Sequence, residues 1–396
     1  MKTTGFSSKQ LQRTREILSG YVDRGEVPGM VSLVSRHGEE RVETIGAKAI
    51  GGEPIQRDTL FRIASMTKPI TAVAALILIE ECLLRLDEPV DRWLPELANM
   101  PVLTDVTGSI DDTKPANRPI TLRDLLTFRL GTGMLMGAPG QFPIADEIAK
   151  TFMAPGPPKP SRFPIPDEYM SELVRYPLMY QPGERWMYNT GSEILGVLIA
   201  RVTGQSFDQF LTERIFEPLG MNDTGFTVSP EKLDRLSTSY LTNPENGGLI
   251  PFDGVENSDW RTAPAFPNGA AGLISTVDDY NDFAQMLMNG GRHGGARVLS
   301  PQSVALMTTN HLTAEQSLQA GGRDFGYGFG VSVGIARSDL GSIGRYGWSG
   351  GLGTMWFNDP AENLSVVLMT QAAWTSPVPP NVCIDLSVRA YVDMEN

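Results

Sequence analysis

The stretch Phe61–Leu84, "FRIASMTKPITAVAALILIEECLL", holds the contradiction on which the whole chain turns. Its apolar run from Ile70 to Ile79 reads as a helix buried on every side, yet Lys68 stands at its start, three residues after Ser65. Pro69 supports that start, because proline is tolerated in a first helical turn and not beyond it. In a helix beginning near Ser65, residue i+3 lies on the same face one turn along, so the hydroxyl and the amine are neighbours. Ser65 then occupies the positive end of the helix dipole, where a developing oxyanion is stabilised. The same field, together with burial, disfavours an ammonium. Removing the proton from an ordinary lysine near pH 7.5 costs roughly 4 kcal/mol, and a buried helix start removes much of that cost. A neutral amine beside a serine hydroxyl is a general base, and the serine becomes a nucleophile.

The plain structural alternative is an N-cap serine followed by a snorkelling lysine. The same spacing recurs at Ser229–Lys232 in "FTVSPEKLDRLS", where Ser229 reads as an N-cap and Pro230 as a first helical residue, with no chemistry required. The apolar helix after Ser65, and residues elsewhere that complete a site, separate the two places.

The 396 residues are 41% hydrophobic and 20% charged, an ordinary globular composition with length for about two domains. The net charge of −13 is the wrong sign for a nucleic-acid partner. Cys82 and Cys383 read as two buried, reduced thiols rather than a disulfide. The N-terminal segment has no apolar core of signal-peptide type; Leu11, Ile17, Leu18 and Tyr21 instead form one face of an amphipathic helix. The longest apolar run is too short to span a bilayer. These features predict a cytoplasmic protein with no membrane partner.

Two strand-like runs flank the turn-prone His37-Gly38-Glu39-Glu40 and predict a hairpin. The C-terminal part has the same texture: "FGYGFGVSVGIA" (325–336), "RYGWSGG" (345–351), "GTMWFND" (353–359) and "LSVVLMTQ" (364–371), then a helix over Cys383–Met394. Between these ends, Lys68–Leu84, Leu122–Phe128, Ser192–Val202 and Phe207–Phe216 read as helices. Gly131–Pro166, rich in proline, glycine and methionine, reads as an irregular wall of a site, because Phe142, Met153 and Phe163 suit packing better than disorder. The resulting expectation is an α+β fold. An antiparallel sheet domain is built from 1–66 and 270–396, flanked by the terminal helices, and a mainly helical domain, 67–269, is inserted.

Several stretches are more specific than any single motif. "LFRIASMTKPITAVAALILIEE" resembles the first motif of the serine β-lactamase and penicillin-binding-protein superfamily, close to class C β-lactamases and family VIII carboxylesterases. "ITLRDLLTFRLGTG" (120–133), "QPGERWMYNTGSEILGVLIARVTGQSFDQFLTERIFEPLGMNDTGF" (181–226), "AAGLISTVDDYNDFAQMLMNGG" and "YGWSGGLGTMWFNDP" resemble its later landmarks, so the likeness covers nearly the whole chain. It implies that Tyr188 is the third catalytic residue, sharing protons with Ser65 and Lys68 and protonating the leaving group. A phenol acts as base only beside a cation, and which partner holds the proton belongs to the pair. The resemblance also implies an oxyanion hole from the backbone N–H groups of Ser65 and Gly351. Trp348, Thr190, Phe128, Met134 and Met136 become the candidate substrate-binding residues.

Two departures carry information. The usual Tyr-x-Asn is here Tyr188-Asn189-Thr190, with a shorter side chain and no amide. The Lys-Thr-Gly of β-lactamases is here Trp348-Ser349-Gly350, an apolar wall with one N–H donor and no charge. A neutral ester therefore suits the site better than an anionic β-lactam.

"GWSGG" (347–351) also fits the nucleophile elbow of α/β-hydrolases, but His37, His293 and His311 all precede Ser349, and that fold needs its histidine after the serine. No cluster has metal-ligand spacing and no glycine-rich loop has a nucleotide-binding pattern, so neither metal nor cofactor is expected. The reading is a serine hydrolase acting on a small-molecule ester through an acyl-enzyme. The alternatives are a β-lactamase, a D-amino-acid amidase or peptidase, or an acyltransferase of the same superfamily, and a catalytically silent ligand-binding relative. The sequence does not specify the oligomeric state.

Overall fold

The computed structural model describes residues 8–394. The predicted hairpin forms from β1 (Gly29–Arg36) and β2 (Glu39–Gly46), turned by His37 and Gly38 at φ 51° and 81°. Two consecutive positive φ angles give the turn whose twist matches that of the strands. The other strands of the same sheet come from the far end of the chain: β3 (Phe325–Tyr327), β4 (Ser332–Gly334), β5 (Tyr346–Gly350), β6 (Thr354–Asp359) and β7 (Leu364–Thr370). The order is β3-β4-β5-β6-β7-β1-β2, antiparallel throughout. The N-terminal hairpin closes on the last strand through the register Leu33↔Val367. The α+β expectation holds.

The central strands are buried on both faces, and their alternation divides two cores. Val31, Leu33, Val367 and Met369 point to a large core shared with α2 (Thr67–Glu80), α3 (Thr190–Thr203) and α4 (Val277–Met288). Met30, Val366 and Leu368 point to a second core closed by α1 (Ser8–Asp23) and α5 (Asn381–Val392). Leu18 and Tyr21 of α1 are buried there and Ile17 packs against it, in line with the amphipathic pattern; the Leu11 side chain lies outside those described. Among the described residues no helix is long and apolar enough to cross a membrane.

Several predicted boundaries shift for physical reasons. The helix α2 stops at Glu80, and Cys82 beyond it adopts φ 59° on the surface, so the expectation of a buried thiol fails there. The helix expected over Leu122–Phe128 ends at Leu126, because Phe128 takes φ 55°. The segment Phe207–Phe216 divides into an α-helix, Phe207–Leu211, and a wider π turn, Thr212–Phe216. The wall segment is less irregular than expected. It contains a short helix, Pro143–Ile148, started by proline at its first position, and a 3₁₀ turn, Pro160–Arg162. Ser229 does precede a 3₁₀ helix, Pro230–Arg235, but its side chain makes no capping hydrogen bond.

Candidate active site

A 3₁₀ turn, Ala64–Met66, leads directly into α2 and carries Ser65 on its rim. Ala64 is held at φ 44°, a conformation that an L-residue adopts only when its surroundings enforce it. The enforcement comes from β5. A Cβ on Gly350 would stand 2.2 Å from the Ile63 carbonyl oxygen, so only glycine lets the strand lie against the turn. Thr354 Oγ1 donates to the same carbonyl at 3.2 Å.

From Thr67 to Leu78 every residue of α2 is buried, Lys68 among them with no exposed surface. Lys68 Nζ donates to Ser65 Oγ at 2.9 Å and to the Ala270 carbonyl at 2.8 Å. Its remaining direction faces the ring of Tyr188, whose centroid lies 4.5 Å away. Among the described residues no carboxylate pairs with it. The amine is therefore held by these two hydrogen bonds and by the ring face.

Tyr188 ends an extended segment fastened on both sides. Met187 N donates to Phe128 O at 2.7 Å, and Met134 N donates to Tyr188 O at 2.9 Å. Asn189 turns sharply at φ 87° into α3, which places Thr190 at the helix start, on the cavity wall. The Tyr188 hydroxyl accepts from Trp348 Nε1 at 3.2 Å, and no hydrogen bond joins it to Ser65 among the described residues. Trp186 stacks on one side of the ring at 5.8 Å, and Phe128 meets it edge-on at 5.7 Å.

A cavity of about 1450 Å³ opens over this group. Ser65, Tyr188, Thr190, Trp348 and Gly351 line it, and the wall segment contributes Met134, Met136, Met153 and Phe163. A Cβ on Gly351 would meet nothing within 4 Å, so its backbone borders open space beside the Ser65 turn. Phe128 does not reach the cavity: it is fully buried behind Tyr188, against Tyr327 at 5.0 Å, and supports the tyrosine instead of touching a ligand. Phe142 also stays off the cavity wall.

Ser349 lines the cavity, but none of the histidines does. His293 pairs with Asp282, His311 stacks on Phe329 at 4.3 Å, and His37 sits in the hairpin turn. The elbow pattern has a packing explanation in part, because a Cβ on Gly347 would stand 2.1 Å from Trp356 O.

Comparison with known proteins now decides the family. The family model described as Beta-lactamase matches residues 14–379. The chain belongs to the beta-lactamase family. Within this family an uncharacterised protein of Mycobacterium tuberculosis is 38% identical over 384 residues, covering 93% of this chain and 89% of the relative. Esterase EstB of Burkholderia gladioli is 31% identical over 373 residues, covering 87% of this chain and 86% of EstB. The solved structure of EstCE1, described as a hydrolase with promiscuous acyltransferase activity, superposes with a TM-score of 0.79 at 26% identity, covering 97% of this chain and 99% of that one. The resemblance read from the motifs is therefore borne out at the level of family.

Sequence reasoning misses three further groups at the site. The Ala270 carbonyl is a backbone atom and leaves no side-chain signal. Glu193 lies within the 181–226 landmark and Asn268 two residues before the landmark that begins at Ala270, both on the cavity wall, but neither stretch singles them out.

Proposed function

We propose that the protein is a serine hydrolase that cleaves neutral carboxylic esters through an acyl-enzyme on Ser65. The observation that carries this reading is the buried Lys68, which has no carboxylate partner among the described residues and lies 2.9 Å from a serine that lines a large cavity. Ser65 Oγ attacks the ester carbonyl as its proton passes to the Lys68–Tyr188 pair. The Ser65 and Gly351 N–H groups take the oxyanion. The pair returns the proton to the alcohol as it leaves, and water then releases the acid by the same steps in reverse. Trp348 contributes an N–H to the Tyr188 hydroxyl where β-lactamases carry a cation, which leaves that position of the wall without a charge for a substrate carboxylate. The name of Esterase EstB supports an ester substrate, and the description of EstCE1 supports a hydrolase.

Acyl transfer to a second alcohol is the same chemistry with the alcohol in place of water. The description of EstCE1 as a hydrolase with promiscuous acyltransferase activity supports it as a side reaction. A panel of p-nitrophenyl esters, a p-nitroanilide and benzylpenicillin tests the assignment. The esters are expected to exceed benzylpenicillin in kcat/KM by roughly 10²-fold or more. Equal turnover of benzylpenicillin would contradict the neutral-ester reading, and no turnover of any ester would favour a silent binding relative.

A further inference from the structure

Lys68 is aimed at Ser65 by one backbone carbonyl, that of Ala270, and the turn bearing this carbonyl is held by a chain of hydrogen bonds that begins in α3. Asn268 Oδ1 accepts from Ala270 N at 2.7 Å, and Asn268 O accepts from Gly272 N at 3.2 Å. Asn268 Nδ2 donates to Glu193 Oε1 at 3.4 Å, and Glu193 Oε2 accepts from the Tyr169 hydroxyl at 2.7 Å. All three side chains are buried.

The chemistry of the set defines its sense. A carboxylate only accepts, so the Asn268 amide must turn its NH₂ to Glu193, which leaves its oxygen for the Ala270 amide. Glu193 thereby selects the rotamer of Asn268, Asn268 closes the turn, and the turn presents the Ala270 carbonyl to Lys68. Glu193 lies in the first turn of α3, the helix that comes after Tyr188, so the chain ties the segment bearing the tyrosine to the amine it faces. From this we infer that Asn268, oriented by Glu193, is a positioning residue for Lys68. The inference rests on the proposed serine-hydrolase reading.

The test compares Asn268→Ala, Glu193→Ala and Glu193→Gln on one activated ester, with thermal unfolding of each and fluorophosphonate labelling of Ser65 in the parent protein. Asn268→Ala is expected to lower kcat by about 10–10²-fold, the order a misplacement of roughly 1 Å produces, with KM nearly unchanged. Glu193→Ala is expected to match it. Glu193→Gln still accepts from Asn268 and still bonds the Tyr169 hydroxyl, which can reverse its role, so it is expected to keep kcat close to the parent. Should Asn268→Ala not fold, Asn268→Asp takes its place: it keeps the acceptor for the Ala270 amide but sets a carboxylate against Glu193, and the same kcat loss is expected. A folded Asn268 variant with parental kcat overturns the inference, as does a Glu193→Gln variant as impaired as Glu193→Ala. Failure of Ser65 to label in the parent protein is a separate outcome that overturns the hydrolase reading instead.

Discussion

Ser65–Lys68 and Ser229–Lys232 are one four-residue pattern in two settings. Lys68 is fully buried, has no carboxylate partner among the described residues and donates to its own serine. Lys232 is about a third exposed, pairs with Asp223 at 2.8 Å and donates to the Asn222 carbonyl at 2.8 Å. Both helical turns begin near a proline, so local backbone chemistry does not distinguish them. The difference lies in the burial of the two helices: twelve consecutive buried positions in α2, and none in the 3₁₀ helix after Ser229. On the proposed reading, a Ser-x-x-Lys pattern becomes a site when burial withholds the lysine's counter-ion, and it remains an ordinary surface turn when a carboxylate is at hand.

The largest test of that contrast is substitution of Lys68 and Tyr188, the residues proposed to carry the proton. Lys68→Ala and Tyr188→Phe are each expected to cost about 10²–10⁴-fold in kcat/KM on an activated ester. Their double variant should be little worse than either single one, because members of one unit are not additive. Lys232→Ala should leave kcat/KM at the parental level. Multiplying losses would show that Lys68 and Tyr188 act independently.

The Ser229 side of the comparison has its own signature, in stability and not in turnover. Asp279, buried in α4, accepts from Asp223 N at 2.7 Å and from Thr224 Oγ1 at 2.9 Å, and so holds the residue that pairs Lys232. Burial pushes its carboxyl up to about 6. The folded value lies above the unfolded one of about 3.9, so the folded state favours the proton. The stability Asp279 contributes is fully present below about pH 4 and is lost as the pH rises towards about 6. Asp279→Asn removes this titration, and the stability difference between parent and variant should change by on the order of 2–3 kcal/mol across that window. Thermal unfolding from pH 4 to 7 measures it. A difference that stays constant with pH would contradict the assignment, and ester turnover should be spared.

Trp348→Phe is the smallest intervention. It keeps the apolar wall but removes the N–H that the Tyr188 hydroxyl accepts. A neutral hydrogen bond contributes about 0.5–1.5 kcal/mol, so a drop of roughly 3–10-fold in kcat/KM is expected. An unchanged rate would make Trp348 a wall and nothing more.

Much of the fold is legible in the sequence because its signals are local and repeated. The hairpin at His37-Gly38, the strand texture at both ends and the wholly apolar α2 each state their own structure. The hidden features depend on residues distant in sequence. The short helix at Leu122 stops because Phe128 is pulled to positive φ beneath Tyr188, and nothing in "LLTFRLG" announces it. The expectation of Phe128 on the substrate side fails for the same reason: an aromatic in a shared motif carries no mark of its depth. Ser65, Lys68 and Tyr188 can be named from motifs, whereas the Ala270 carbonyl and the Glu193–Asn268 link become visible only when three separate segments meet.

The most direct test of the central claim is peptide mapping after reaction with a fluorophosphonate. A single adduct on the peptide bearing Ser65 is expected, absent from Ser65→Ala and unaffected by Ser229→Ala. An adduct on Ser229 or Ser349, or ester turnover that survives in Ser65→Ala, would contradict the account.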